Sequence, residues 1–403
     1  MRASRNRILA GAAVVALSTA VAIAAAGPAA ADAIQLELSA YGDLAVDEDH
    51  DQLYITGGAN SNGVVVTDLD GHYKKTIKDQ YGATGLALNA DNHKLYVALA
   101  TGDAISVIDT HTLKEIDRYS TGAQTCPTHL RRAGERLFFG HGCDGTWKGG
   151  IGRVTFPEPE PEPDPSGSPT PDPSGPASPT PRPSYTPTPK PSVPYSPTPS
   201  APSSPTPSPS ETPEPEPKID LNIQGSVRFQ RAPLLEARAG AAEGPLVAAQ
   251  LNLSLSTVYV YDIDEDGALK TKTSGTAPGS NLNDISIDKY GQTLLTGAGG
   301  RNATQAYATA DLSGRGSYYT GYYPLAVAAA PDDYHVANGV RATGDDIYIY
   351  ETGGVVPEAR IDVSTDVLAP RGLIWAPKGD HLYAITQPPT GGAPTLHVFH
   401  DPV

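Results

Sequence analysis

An acidic loop, Asp262-Ile263-Asp264-Glu265-Asp266-Gly267, is the strongest candidate in this chain for binding a metal ion. Carboxylates at alternate positions followed by glycine can surround Ca²⁺ with hard oxygen ligands. Thr273 stands at the twelfth position, where an EF-hand has glutamate, and strand-like residues flank the loop. We predict that Asp262, Asp264 and Asp266 are calcium ligands. The alternative is a plain turn, since Asp68-Leu69-Asp70-Gly71 has the same turn residues with fewer acids.

No motif for covalent or cofactor-dependent catalysis is present. The sequence lacks the Gly-x-Ser-x-Gly nucleophile motif, the phosphate-binding loop and the dinucleotide fingerprint. Its ten histidines are scattered, and most are expected to be solvated at the surface. Catalysis would need residues far apart in sequence to converge, and the candidates are Asp43, His129, Asp284 and Arg371. We therefore predict no catalytic residues and no cofactor apart from the alternative Ca²⁺.

The chain has two cysteines, Cys126 and Cys143. An isolated close pair in an exported protein usually forms one disulfide, which is our prediction. Free thiols are one alternative. A metal pair completed by His129 and His141 is the other, because zinc needs four ligands.

Residues 1–31 have the pattern of a secretory signal peptide. Arg2, Arg5 and Arg7 precede an apolar run at 8–26, and small residues follow, so cleavage is expected after Ala31 or, alternatively, Ala33. An uncleaved membrane anchor is the other interpretation. The net charge of −16 includes these arginines, so the remainder is more acidic still. An acidic chain without a basic cluster argues against nucleic acid or anionic membranes as partners.

Residues 157–217 consist almost entirely of Pro, Ser, Thr and Glu. Proline removes backbone donors, and nothing apolar is available to bury, so we predict a disordered, largely polyproline II segment. It would serve as a spacer, a glycosylated stalk or a tether. The alternative is an insertion with no specific role.

The rest of the chain repeats a unit of alternating strands. Residues 43–55 and 85–97 each have a short strand, a polar turn and a second strand. A third strand and a more polar fourth strand follow, giving a period of about 42 residues, the size of one four-stranded propeller blade. Further copies lie at 130–139, 234–251, 284–295, 326–337 and 372–384. We predict an all-β, seven-bladed β-propeller formed by a single domain over residues 32–403.

The ends of the repeat predict how the ring closes. Residues 34–38 form an extra strand that can complete the last blade, whose third strand lies at 395–399. In the third blade, the third strand near 151–156 and the fourth near 219–224 flank the Pro-rich segment. The insertion is therefore expected to replace an outer hairpin of blade three, which the cysteine pair would brace.

Ligands of propellers usually bind at the mouth of the central channel, near the innermost strands. Tyrosine, with a flat apolar face and a polar tip, suits glycans or peptides there. The alternative is ordinary packing between blades. The ligand-binding candidates in the loops leading to these strands are Tyr41, Tyr81, His129, Asn283, Tyr323 and Arg371.

The segment from Asp103 to Leu113, DAISVIDTHTL, resembles the YVTN-type propeller repeat, with KLYV before it and YSTG after it. The segments Thr125-Cys126-Pro127, Gly142-Cys143-Asp144-Gly145 and LAPRGL at 368–373 are similar to the propeller head of secreted actinobacterial proteins with Ig-like repeats. The resemblance implies binding at the cell surface or in the periplasm, without one assigned activity.

We therefore expect a secreted, non-enzymatic, monomeric recognition module that is extracellular or associated with the cell wall. Its partner would be a cell-wall glycan or a protein. The alternatives are a propeller enzyme such as a lactonase, lyase or quinoprotein, and a purely structural surface protein. Convergence of three candidate residues around a metal-sized gap would favour an enzyme, whereas a channel lined by Tyr, Leu and Gly would favour binding.

Overall fold

A computed structural model describes residues 32–143, 145–157, 216–238, 240–276, 279–342, 344–363 and 366–403. These residues contain 28 β-strands and no helix. The strands form seven antiparallel sheets of four strands each, which confirms the predicted seven-bladed propeller. The chain divides into one unit of residues 1–154 and 219–403 and another of residues 155–218, and the first unit builds the propeller.

The strands of each blade follow one another in the chain. Residues Asp32–Gln35 form β1, which precedes the first blade. Blade one contains β2 (Leu44–Asp47), β3 (Gln52–Thr56), β4 (Asn62–Thr67) and β5 (Tyr73–Tyr81). Blade two contains β6 (Ala83–Leu88), β7 (Lys94–Leu99), β8 (Ala104–Asp109) and β9 (Lys114–Ser120). Blade three contains β10 (His129–Ala133), β11 (Arg136–His141), β12 (Gly150–Thr155) and β13 (Lys218–Asp220).

The next three blades have the same order. Blade four contains β14 (Leu234–Ala237), β15 (Leu246–Ala249), β16 (Val258–Ile263) and β17 (Leu269–Gly275). Blade five contains β18 (Leu282–Ile287), β19 (Thr293–Ala298), β20 (Ala303–Ala308) and β21 (Gly314–Tyr319). Blade six contains β22 (Tyr323–Ala329), β23 (His335–Arg341), β24 (Ile347–Glu351) and β25 (Ala359–Ile361).

Blade seven is completed from the other end of the chain. Its own strands are β26 (Val367–Trp375), β27 (His381–Gln387) and β28 (Thr395–His400), and β1 pairs with β28 as the fourth strand. Ala33 lies opposite His397, and the Leu36 N–H donates to the Pro394 carbonyl at 2.8 Å. This confirms the predicted closure, which leaves no unpaired strand at the seam of the ring, although the closing strand lies at 32–35 rather than at 34–38.

The first strand of each blade lies innermost. These strands contact one another around the ring, including β26 with β2. The apolar residues of the second and third strands pack between blades, as where Tyr54 and Val66 of blade one meet Leu86 and Val97 of blade two. Alternating side chains of a strand point to opposite faces, so each blade presents one apolar face to each neighbour.

The fourth strand of blade three is shorter than predicted. It ends at Asp220 rather than near residue 224. The chain turns there because Asn222 adopts a left-handed φ of 55°. The Gln224 side chain accepts the Ile151 N–H at 2.8 Å, so an amide oxygen replaces a backbone acceptor of the ladder.

The predicted insertion falls where the repeat placed it. β12 ends at Thr155 and β13 begins at Lys218, so the Pro-rich sequence lies between the third and fourth strands of blade three. Residues 158–215 and the predicted signal peptide at 1–31 lie outside the described residues. Within the described ranges no helix could cross a membrane.

Candidate functional site

Four residues from four blades converge where the innermost strands begin. Asp43 precedes β2, His129 begins β10, Asp284 lies in β18 and Arg371 lies in β26. Asp43, His129 and Asp284 are buried. Arg371 joins the blades, because its Nη1 lies 3.1 Å from His129 Nδ1 and its Nη2 donates to the carbonyl of Gly42 at 2.6 Å. The structure thus brings together the four residues that the sequence indicated as candidates for a site built from distant parts of the chain.

Arg371 reaches across the channel mouth from an irregular stretch of backbone. The pairing of β26 with β27 shifts register between Leu368 and Leu373, and Arg371 has a left-handed φ of 62°. Its carbonyl accepts the Tyr41 hydroxyl at 3.0 Å. A non-glycine residue held in this region costs about 1 kcal/mol or more, and such strain is concentrated at functional sites.

Asp43 and Asp284 occupy equivalent positions in blades one and five. Asp43 accepts the N–H of Leu86 in the next blade at 3.0 Å. Asp284 likewise accepts the N–H of Val327 at 2.8 Å. Each carboxylate also accepts the N–H of the residue that follows it. These carboxylates therefore link neighbouring innermost strands while facing the channel mouth.

A second pair of charged residues lies beside Asp43. Arg131 of β10 donates through Nε to Glu236 of β14 at 2.8 Å, and its Nη1 lies 4.0 Å from Asp43. Both residues occupy the position of Ala45 in blade one, because Arg131 stands opposite Phe138, Glu236 opposite Val247 and Ala45 opposite Tyr54, at equivalent points of the second strands. This pair is not among the residues predicted from the sequence. The replacement of a repeated alanine by charged residues in two adjacent blades is the signal that could have revealed it.

Burial shifts the protonation of these groups. It raises the pKa of Asp284 to about 8, although two backbone N–H groups and Arg371 oppose the shift. It also raises the pKa of Glu236, with the Arg131 charge acting against it. Burial lowers the pKa of His129 well below its usual value, and both arginines add to that effect. Near neutral pH, Asp284 is therefore largely protonated and His129 is neutral.

The cluster borders a cavity of about 280 Å³ that runs along the innermost strands of blades five to seven. At the mouth, the polar lining residues are Tyr41, Asp43, Arg131, Glu236, Asp284 and Arg371. The far end is lined by Asp288, Lys289, Pro331 and Pro377. The volume lies near the lower limit of small-molecule pockets, so the site suits a small ligand or one terminal unit of a longer ligand.

The ligand-binding candidates divide into two groups. Tyr41, His129 and Arg371 belong to the cluster. Tyr81 is 51% exposed and lies apart from the cavity lining. Asn283 is buried and donates to the Pro324 carbonyl at 2.9 Å, so its amide links two blades.

Tyr323 packs against a glycine of the neighbouring blade. A Cβ atom added at Gly299 would fall 1.8 Å from the Tyr323 ring, which shows that the ring lies directly against that glycine. This close packing is the alternative that the sequence analysis left open for the tyrosines.

The acidic loop has the contacts of a turn. Asp264 accepts the Ala268 N–H at 2.7 Å, and Asp262 pairs with Lys272 at 3.1 Å. The Asp266 carbonyl accepts a hydrogen bond from Arg153 of the neighbouring blade. Calcium binding by Asp262, Asp264 and Asp266 stays a prediction.

The predicted disulfide is present and supports the loop that leads to His129. Cys126 and Cys143 are bonded, with their Cα atoms 5.2 Å apart. Asp103 accepts the Cys126 N–H at 2.9 Å, and the Thr128 hydroxyl donates to the Cys126 carbonyl at 2.9 Å. The cross-link therefore braces the strand that carries both His129 and Arg131.

The fold defines the chain as a seven-bladed β-propeller with a polar cluster at its channel mouth. It is similar to the β-propeller domain of Myceliophteria thermophila Cps50 (Swd1), with 11% identity and a TM-score of 0.57 over 92% of this chain and 99% of that one. It is also similar to a chain of a mitotic checkpoint complex, with 11% identity and a TM-score of 0.59 over 99% of this chain and 98% of that one.

These two similarities concern the fold alone. No protein-family model matches the sequence. No curated protein matches it either.

Proposed function

We propose that this chain is a secreted, non-enzymatic recognition module that binds a neutral, polyhydroxylated ligand, the end of a cell-wall glycan, at the channel mouth. One observation carries the proposal: donors and acceptors from blades one, three, four, five and seven converge on the mouth of a single cavity. A propeller chain also occurs in the checkpoint complex noted above, which supports a recognition role for the fold.

The hydrogen-bonding capacity of the cluster suits hydroxyl groups. A protonated carboxyl group offers one O–H donor besides its acceptor lone pairs, and each oxygen of Asp284 accepts one backbone N–H. A guanidinium group offers five donors, of which Arg371 gives one each to His129 and Gly42. Sugar hydroxyls both donate and accept, so they can pair with the remaining capacity of both kinds of group.

The charge balance favours a neutral ligand over an anion or a cation. Asp43 and Glu236 face Arg131 and Arg371 across the mouth, while the raised pKa of Asp284, about 8, keeps it largely uncharged at neutral pH. Opposite charges present in equal number give no net attraction for a phosphate or an ammonium group.

Two observations support export. The pattern of residues 1–31 is that of a signal peptide, and cleavage after Ala31 would leave β1 whole, whereas cleavage after Ala33 would remove its first two residues. The disulfide between Cys126 and Cys143 is typical of proteins outside the cytoplasm.

The test is calorimetric titration of the purified protein with neutral and acidic cell-wall oligosaccharides. We expect a neutral oligosaccharide to bind, and Asp284→Ala and Arg371→Lys each to weaken binding about 10-fold or more, because the first removes the hydrogen-bonding carboxyl group and the second replaces a five-donor guanidinium with an ammonium group. Tyr81→Ala is the matched control and should bind normally. Equal binding by all variants, or a preference for the acidic sugars, would contradict the proposal.

The convergence of the four candidate residues and the opposite pKa shifts of Asp284 and His129 favour a second candidate, an acid–base enzyme of the lyase class. Groups whose surroundings push their pKa values apart, as in Asp284 and His129, are typical of catalytic sites. Glycan turnover that disappears in Asp284→Asn and persists in Tyr81→Ala would establish the enzyme. Binding without turnover would establish the recognition module.

A further inference from the structure

Two histidines and an aspartate meet where the second strand of blade seven begins and its third strand ends. His381, the first residue of β27, stands opposite His400, the last residue of β28, and their ring centroids are 4.4 Å apart. Asp70, in the turn between β4 and β5, has its Oδ1 3.8 Å from His400 Nε2. One ligand atom from each residue lies within 4.8 Å of the other two.

The propeller repeat does not require histidine at these positions. The equivalent cross-strand pair is Lys94–Asp109 in blade two, Thr293–Ala308 in blade five and His335–Glu351 in blade six. None of these three pairs contains two histidines. Paired histidines in blade seven need a different reason.

The surroundings suit a cation. Nδ1 of His381 lies 2.8 Å from Asp380 Oδ1, so this carboxylate can hold the ring with Nε2 directed away as a free ligand. A carboxylate behind a histidine is the usual outer partner of a metal ligand.

We propose that Asp70, His381 and His400 bind a divalent transition-metal ion of the Zn²⁺ type. Two imidazole nitrogens and a carboxylate, with water in the fourth position, match the ligand types and number that zinc takes. Ligand atoms in such a site lie about 2.0–2.2 Å from the metal. Small rotations of three side chains, two of them well exposed, bring the ligand atoms to that distance.

The metal would strengthen the seam at which the ring closes. Asp70 belongs to blade one, and both histidines belong to blade seven. The Asp70 turn already lies against the closing strand, since a Cβ atom at Gly71 would fall 2.7 Å from Ile34 of β1. A bound ion therefore joins the first blade to the last, beside the pairing of β1 with β28. This role is independent of ligand binding at the channel mouth.

The test uses protein prepared without a histidine tag, treated with EDTA and titrated with ZnCl₂ in a calorimeter. We expect one Zn²⁺ per chain and a rise in melting temperature, because the ion binds only the closed ring. Co²⁺ in place of Zn²⁺ should give the visible absorption of a four-coordinate site. Asp380→Asn should weaken Zn²⁺ binding about 10-fold through the histidine that it orients.

His400→Ala and His381→Gln should each abolish the saturable binding of Zn²⁺ and the rise in melting temperature. His93→Ala is the matched control, because His93 is another exposed histidine beside an aspartate, Asp91, and it should bind Zn²⁺ normally. The absence of saturable binding in the unaltered protein would overturn the proposal. Unchanged binding in both His400→Ala and His381→Gln would also overturn it.

Discussion

Replacing Asp284 with asparagine should remove a specific pH dependence of stability. The pKa of this carboxyl rises from 3.8 to about 8 on folding, mainly through burial. Between these values the folded state holds a proton that the unfolded state releases. The free energy of unfolding therefore falls as pH rises through this window, and the contribution is fully present only below the unfolded pKa.

The size of the effect follows from the pKa shift. One proton held only by the folded state changes the free energy of unfolding by about 1.4 kcal/mol per pH unit. From pH 5 to pH 7 the accumulated loss is thus about 3 kcal/mol. Asparagine does not titrate, so the stability of Asp284→Asn relative to the unaltered protein should improve by that amount over the same range.

The assay is urea denaturation of both proteins at pH 5, 6 and 7. Other titrating groups are common to both proteins and cancel in the difference. Asp311→Asn is the control: Asp311 is exposed and bonded to Ser313, which lowers its pKa, so its replacement should give no improvement with rising pH. If the Asp284→Asn difference stayed constant from pH 5 to pH 7, the argument from burial would be refuted.

Three further predictions concern the supports of the site and are tested by urea or thermal denaturation. Glu236→Gln leaves Arg131 without its charged partner and should cost about 2 kcal/mol, part of which Arg131→Met should restore in the double variant. Replacing Cys126 and Cys143 with alanine should cost about 3 kcal/mol, because the cross-link closes a loop with a sequence separation of 17. Gly85→Ala should cost about 2 kcal/mol, since its Cβ would fall 2.5 Å from a carbonyl oxygen in the loop of blade three.

Each of these substitutions has a control. Gly344→Ala should cost little, because nothing lies within 4 Å of the added Cβ. A reducing agent should lower the melting temperature of the unaltered protein and leave that of the double alanine variant unchanged. If Arg131→Met destabilised Glu236→Gln further, the two side chains would not be acting as a pair. A loss in Gly344→Ala equal to that in Gly85→Ala would refute the steric argument.

The blades were predictable because their signal is local. The short apolar run Leu53-Tyr54-Ile55 recurs as Leu95-Tyr96-Val97, and both copies are buried. Closure of the ring was predictable from the number of strands in the sequence, because the extra strand before blade one had no partner in that blade. The exact end of β13 was not predictable, because it depends on the left-handed Asn222 and on the Gln224 side chain.

The candidate site was predictable only in part. The repeat located the loops at the channel mouth, so Tyr41, His129 and Arg371 were found. It does not determine how far each side chain reaches. Tyr81 comes two residues after Asp79, which has a left-handed φ of 63° and lies where the pairing of β4 with β5 shifts register. The side chain of Tyr81 is half-exposed as a result. The direction of Arg371 depends on a bulge that no sequence pattern indicated.

The most direct test of the central claim is a crystal structure of the protein with a bound neutral cell-wall oligosaccharide. We expect one terminal sugar in the cavity at the channel mouth, with its hydroxyl groups within hydrogen-bonding distance of Arg131, Asp284 and Arg371. A sugar bound at the far end of the channel beside Lys289, or on the outer strands with the channel mouth left unchanged, would contradict it.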